Sequence, residues 1–219
     1  MDSLEALAQR IPSMGGHKLS GLLREAAAGA PSGTSIVEVG CWLGAGTAQL
    51  ALGILDREDR TGVHLHCYDR WEANAAEVAK AAKAEVHFSA GDDTLPLVDK
   101  FLQPFGVPIS YHKGDILKAT WNDGPISVYV DDAAKKPFLF NHMLKTFGPH
   151  WIPRKTILVL MDYSIWKKSA LREHGWQMEF MESHQRHFEP VRRRGVAVFR
   201  YVRSLDFEQA ICDSGLTTS

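Results

Sequence analysis

Cysteine is scarce, with 3 residues in a chain of 219, at Cys41, Cys67 and Cys212. None has the spacing of a metal knot or of a paired framework, so reduced thiols are expected. An excess of one charge is also lacking. Lys plus Arg total 25 and Asp plus Glu total 26, for a net charge of −1. That balance argues against bulk binding to nucleic acid or to an anionic membrane. No apolar run approaches the length of a bilayer span. The opening residues MDSLEALAQRIPSMGG are acidic and broken by Pro12, Gly15 and Gly16. They lack the basic start and apolar stretch of a secretion signal, so a cytoplasmic protein is expected. Repeats and low-complexity tracts are absent as well.

What is present suits an ordinary globular core, since 45% of residues are hydrophobic. Leu4 to Ile11 and Leu19 to Ala28 read as short amphipathic helices, and GAPSG at 29–33 as a breaker. β-prone segments follow at Ser35 to Gly40, Val63 to Tyr68, Ile109 to His112, Ile126 to Val130 and Thr156 to Met161. Helical patterns lie between and after them, at Thr47 to Leu55, Glu72 to Ala84, Leu95 to Phe105, Pro137 to Phe147 and Ile165 to His174. Trp176 to Met181 and Val196 to Val202 read as two last strands joined by a long basic connection. Alternation of strand and helix predicts an α/β fold with a parallel sheet. Two final strands without a helix between them predict an antiparallel C-terminal hairpin. The expected plan is a seven-stranded Rossmann-like sheet with helices on both faces. Residues 1–30 form an N-terminal helical extension, 31–203 the main domain and 204–219 a tail.

The run SIVEVGCWLGAGTAQLALGIL places Gly40, Gly44 and Gly46 between a strand and a helix. Glycine there serves a tight turn or a close approach of backbone to ligand. A phosphate loop needs Lys after its last glycine, and this loop ends Gly-Ala-Gly-Thr. A dinucleotide fingerprint needs G-x-G-x-x-G, whereas the spacing here is G-x-x-x-G-x-G, so an NAD(P)-binding oxidoreductase is the disfavoured rival. Acidic residues end four strands, at Glu38, Asp69, Asp131 with Asp132, and Asp162. Ligands of such sheets sit beyond those carboxyl ends.

VEVGCWLGAGT resembles the first motif of the class I S-adenosylmethionine methyltransferases, E/D-x-G-x-x-x-G followed by a helix. The resemblance implies that Gly40, Cys41, Trp42 and Gly44 pass beneath the cofactor, that Glu38 reaches its methionine ammonium, and that Thr47 opens the helix beside it. It implies that Asp69, at the end of HLHCYDRW, binds the ribose hydroxyls, with Arg70 and Trp71 alongside. It implies that Asp115 and Ile116 of KGDI hold adenine. VYVDDAAKKPF is similar to the divalent-metal-dependent O-methyltransferases of the catechol and caffeoyl-CoA kind. By that likeness Asp132 is a metal ligand and Lys135 the general base. Independently of it, His142 lies on the helix after the lysine pair, where it could face the acceptor, and is a second candidate for proton transfer. The partner acid would follow the fifth strand, where MDY matches the Asp-Tyr of the macrocin-type sugar O-methyltransferases as Asp162 and Tyr163, and has Met161 for their first acid. A Mg²⁺ site would then draw on Asp131 or Asp132 with Asp162. On the competing reading Asp131 touches only the methionine end and Asp162 caps a helix.

Lys135, Lys136, Lys167, Lys168 and RRR at 192–194 add an expectation of an anionic acceptor near the pocket mouth. The function expected is methylation of a small hydroxylated molecule, a sugar or secondary metabolite. N-methylation, and a methyltransferase fold that binds without catalysis, remain open beside it. The N-terminal helices are expected to cover the site or to support a homodimer.

Overall fold

The computed structural model describes residues 3–15, 17, 19–164, 167, 175–192 and 197–215. Seven strands form one sheet: β1 (Thr34–Val39), β2 (Val63–Asp69), β3 (Ile109–Lys113), β4 (Ile126–Asp131), β5 (Ile157–Leu160), β6 (Phe188–Arg192) and β7 (Ala197–Tyr201). Their order is β3-β2-β1-β4-β5-β7-β6. The first five are mutually parallel, and β7 runs antiparallel to both β5 and β6. β1 and β4 are buried along their whole length, as central strands covered on both faces must be. Order reverses between β1 and β4, so the crevice of the sheet opens there.

One face carries α1 (Leu4–Arg10), α2 (Ser20–Ala28), α3 (Ala45–Leu55) and α5 (Leu95–Leu102). Ile36, Leu65 and Cys67 of the sheet pack there against Leu23, Leu50, Ile54 and Leu102. The other face carries α6 (Pro137–Phe147), α7 (Trp176–Ser183) and α8 (Phe207–Asp213), with Phe140, Phe147, Phe180 and Ile211 against Val37, Val39 and Leu158. α4 (Ala75–Ala82) starts at a capping box in which Asn74 and Glu77 satisfy each other's backbone amides. The expected start at Glu72 is too early, because Glu72 is bridged to Asp93 before the helix begins.

α3 is apolar almost all round, and nine of its residues are buried, so it needs partners on every side. α2 is one of them. Gly53 lets it approach, since a side chain there would overlap the carbonyl of Arg24 and the methyl of Ala27. The N-terminal helices are therefore part of the core: Ala8, Leu23 and Ala27 are fully covered. No helix among the described residues is long and apolar enough to cross a membrane.

Trp176 to Met181 is corrected by the structure. It is helix, and its buried residues Trp176, Gln177, Phe180 and Met181 lie on one helical face. The hairpin partner of β7 is instead β6, drawn from the segment expected to be a connection. Its Pro190 suits an edge strand, where a missing N–H costs no ladder bond. The helix expected from Ile165 to His174 lies outside the described residues apart from Lys167.

Candidate functional site

The three glycines solve backbone problems first. Gly40 sits at φ +88°, and a Cβ there would come within 2.9 Å of the Asp132 carbonyl group. The loop leaving β1 thus crosses the loop leaving β4 at contact distance. Gly44, at φ +87°, is the N-cap of α3. Gly46 rests on the carboxyl of Glu38, where any side chain would overlap. Glu38 is therefore behind the glycine loop and almost fully buried. Its Oε2 accepts from the Thr47 hydroxyl at 2.6 Å, and burial pushes its pKa up to about 7.

In front of the loop a cleft of about 1090 Å³ opens across the ends of β1 to β4. Gly40, Asp69, Arg70, Asp115, Ile116, Asp132 and Lys135 line it. Asp69 also organises the backbone around it. Its Oδ2 accepts the amide of Trp42 at 2.8 Å and its Oδ1 that of Trp71 at 3.0 Å. Both tryptophans have left-handed backbones, at φ +46° and +45°, so one carboxylate holds two strained turns. Trp71 is 2% exposed and donates its indole N–H to the Trp42 carbonyl at 2.9 Å. Cys41 is buried, its thiol near the Glu38 carbonyl at 3.4 Å. Glu38, Cys41, Trp42, Gly44, Thr47 and Trp71 thus shape the loop from behind and do not line the cleft. Asp115 caps a 3-10 turn over Ile116–Lys118 by accepting the Leu117 amide at 3.0 Å. Sequence reading missed Tyr68, His112, Lys118, Thr120 and Leu139, which also line the wall. Tyr68 and His112 stack with ring centroids 4.2 Å apart. Strand-end position was the available signal for that pair, since the two residues are register partners.

The acidic side is built around β4. Asp131 is 1% exposed. Its Oδ1 accepts the amides of Ala133 and Ala134 at 3.1 and 2.9 Å, while its Oδ2 is buried without a partner. Burial raises its pKa to about 6. This Asx-type turn brings Lys135 back over Asp132. The Lys135 ammonium meets Asp132 Oδ1 at 3.1 Å and also pairs with Asp162 Oδ2. Burial raises the pKa of Asp132 above the usual carboxylate range.

Of the two residues expected to move protons, Lys135 lies between two carboxylates, whose charges and hydrogen bonds raise its pKa against the opposing effect of burial. His142 is outside the cleft lining and pairs with Thr146 at 3.3 Å. The residues also do not fit Mg²⁺. Asp131 is turned into the backbone, and the Asp132–Asp162 pair already holds the ammonium. Of the described lysines expected at the mouth, Lys135 lines the cleft, Lys136 stands over the Phe138 ring at 5.7 Å, and Lys167 is exposed. Lys168, Arg193 and Arg194 lie outside the described residues.

No protein-family model and no curated protein sequence matches the chain. Among solved structures, the apo form of CalS11, a TDP-rhamnose 3'-O-methyltransferase of calicheamicin biosynthesis, is similar at TM-score 0.54 and 12% identity, covering 83% of this chain and 76% of that one. The pyocyanin biosynthetic protein PhzM aligns at TM-score 0.49 and 15% identity, over 92% and 62%. A TehB-like S-adenosylmethionine-dependent methyltransferase from Corynebacterium glutamicum aligns at 0.43 and 15%, over 83% and 87%. The chain has the Rossmann-like fold of class I methyltransferases, with the C-terminal antiparallel strands and the crevice between β1 and β4 in their places.

Proposed function

We propose that the protein is an S-adenosylmethionine-dependent methyltransferase acting on a hydroxyl of a small molecule. One observation carries the reading: Gly40, Asp69 and the Asp115–Ile116 pair line one cleft from three successive strand ends. Each bears a group suited to a different part of an adenosyl ligand: bare backbone, a carboxylate for a diol, and an acid beside an apolar side chain for adenine. When bound, the cofactor supplies an electrophilic methyl group on a sulfonium. Asp69 would hold the ribose, with lone pairs left after its two amide bonds. Tyr68, His112 and Leu139 would exclude water from the wall.

On the acceptor side Asp132 is the proton acceptor. Its Oδ1 is engaged by Lys135, which leaves Oδ2 for the hydroxyl proton. Asp132 would hold the acceptor hydroxyl and take its proton, leaving the oxygen lone pair free for the methyl group that the cofactor would supply. Little acid–base chemistry is needed beyond that, so rate depends on alignment. A sugar hydroxyl suits the polar cleft. The CalS11 likeness supports a sugar, as does the Asp162–Tyr163 resemblance. The three free thiols support a reducing compartment, and we place the protein in the cytoplasm.

Calorimetric titration with S-adenosylhomocysteine tests the cofactor. Wild type should bind, and Asp69→Asn and Asp69→Ala should weaken binding while melting scans check that each variant folds. Binding that is indifferent to both substitutions, or NADH binding in its place, would sink the reading. Binding without methyl transfer to any of a panel of sugars and phenols would leave a module without catalysis.

A further inference from the structure

Three carboxylates converge at the ends of β4 and β5, and the chain supplies its own cation to meet them. Asp131 spends Oδ1 on the Ala133 and Ala134 amides. The Lys135 amide bonds the Ala133 carbonyl at 2.7 Å. That tight turn fixes where the lysine stem starts. Its ammonium then spans Asp132 and Asp162, two residues from different strand ends. A Mg²⁺ ion would need several oxygen ligands in near-octahedral array, at least one or two of them carboxylates. Among the described residues the Asp132–Asp162 pair is occupied by Lys135, and Asp131, with Oδ1 on two amides and Oδ2 buried, does not line the cleft.

We infer that Lys135 is a tethered monovalent cation standing where related sites would hold a metal, so that the acceptor site is metal-independent. The inference rests on the proposed methyltransferase reading for its meaning. An ammonium has three donors. Two are engaged by the carboxylates, and the third is left for one acceptor oxygen. Binding through a single hydrogen bond does not require the vicinal oxygens that chelate a metal. The acceptor class is therefore a molecule presenting an isolated hydroxyl, and a catechol gains nothing here over a simple phenol or a lone sugar hydroxyl.

The test uses Mn²⁺ as a paramagnetic probe for an oxygen-ligand site, titrated into the full chain with and without S-adenosylhomocysteine. Wild type should take up no stoichiometric Mn²⁺ in the low millimolar range. Lys135→Met should bind it at least about tenfold more tightly than wild type, because a repelling unit charge is gone and two carboxylates are released. Adding Asp162→Asn to that variant should abolish the gain. Lys135→Arg should exclude Mn²⁺ as wild type does. One Mn²⁺ per wild-type chain, lost on Asp162→Asn, would overturn the inference. So would a folded Lys135→Met that binds no better than wild type. If Lys135→Met does not fold, the wild-type and Asp162→Asn titrations decide. The metal titration needs no turnover, so its failure is distinct from a failure to bind S-adenosylhomocysteine, which would strike the methyltransferase reading alone.

Discussion

Glu38→Gln should make the protein more stable, and more so as pH rises. Glu38 is 4% exposed, and burial lifts its pKa from 4.5 to about 7. The folded state therefore keeps a proton that the unfolded state gives up above pH 4.5. By linkage, that group costs stability progressively from about pH 4.5 to 7, and the cost is constant above. The shift corresponds to about 3 kcal/mol in full, of which about 2 to 3 kcal/mol develops between pH 5 and 8. For a chain of this size that is roughly 4 to 10 °C in Tm. Gln keeps an oxygen for the Thr47 hydroxyl and has no proton to lose. Melting curves of both proteins at pH 5, 6, 7 and 8 isolate the effect, because Asp131, raised to about 6, and His66, lowered to about 4, titrate in both. The Tm gap should widen with pH and level off above 7. A gap of the same size at pH 5 and pH 8 would refute the argument.

Gly40→Ala should destabilise by about 1 to 3 kcal/mol, from its left-handed φ, and more where the Asp132 carbonyl group cannot give; urea unfolding measures it. Gly53→Ala pits a helix-propensity gain of about 1 kcal/mol against overlap with α2, and the overlap should win, seen as a lower urea midpoint. Thr156→Val should cost about 1 to 3 kcal/mol in the same assay, because the buried hydroxyl bonds the Ile152 amide and the Ile126 carbonyl, each at 2.6 Å. His142→Ala should leave methyl transfer within about twofold of wild type, since its partner is Thr146 outside the cleft; a tenfold fall would return His142 to the chemistry.

The central sheet was readable because its strands are apolar runs with acids at their ends, and its helices have clean periods. WQMEFM misled because three of its apolar residues alternate with polar ones, as in a half-buried strand. The residues buried in fact, Trp176, Gln177, Phe180 and Met181, fit one helix face. FEPVR carries a proline and two charges, so nothing local marked it as a strand; pairing with β7 decides it. At the site, position along each strand was legible and side-chain direction was not. Asp69, Asp115 and Ile116 were found at strand ends. Glu38 shares that signal yet faces inward, because Thr47 and the bare Gly46 make room for it there. The role of Lys135 depended on Asp162, 27 residues away, and no local pattern reports such a contact.

The reversal of strand order has a consequence for how the chain comes together. β1 and β4 are joined by the Thr34–Ser127 hydroxyl contact at 2.7 Å between residues 93 apart in sequence. The packing of α2 on α3, by contrast, joins neighbours along the chain. Closing the longer loop costs more entropy and comes later. Gly40, Asp69 and Asp115 are all synthesised before β4 exists, so a chain halted at Gly124 carries the three proposed adenosyl contacts and has no crevice to put them in. Such a fragment should not bind S-adenosylhomocysteine by calorimetry. On the proposed function, binding competence waits for β4, which follows β1 to β3 in the chain and enters the sheet beside β1.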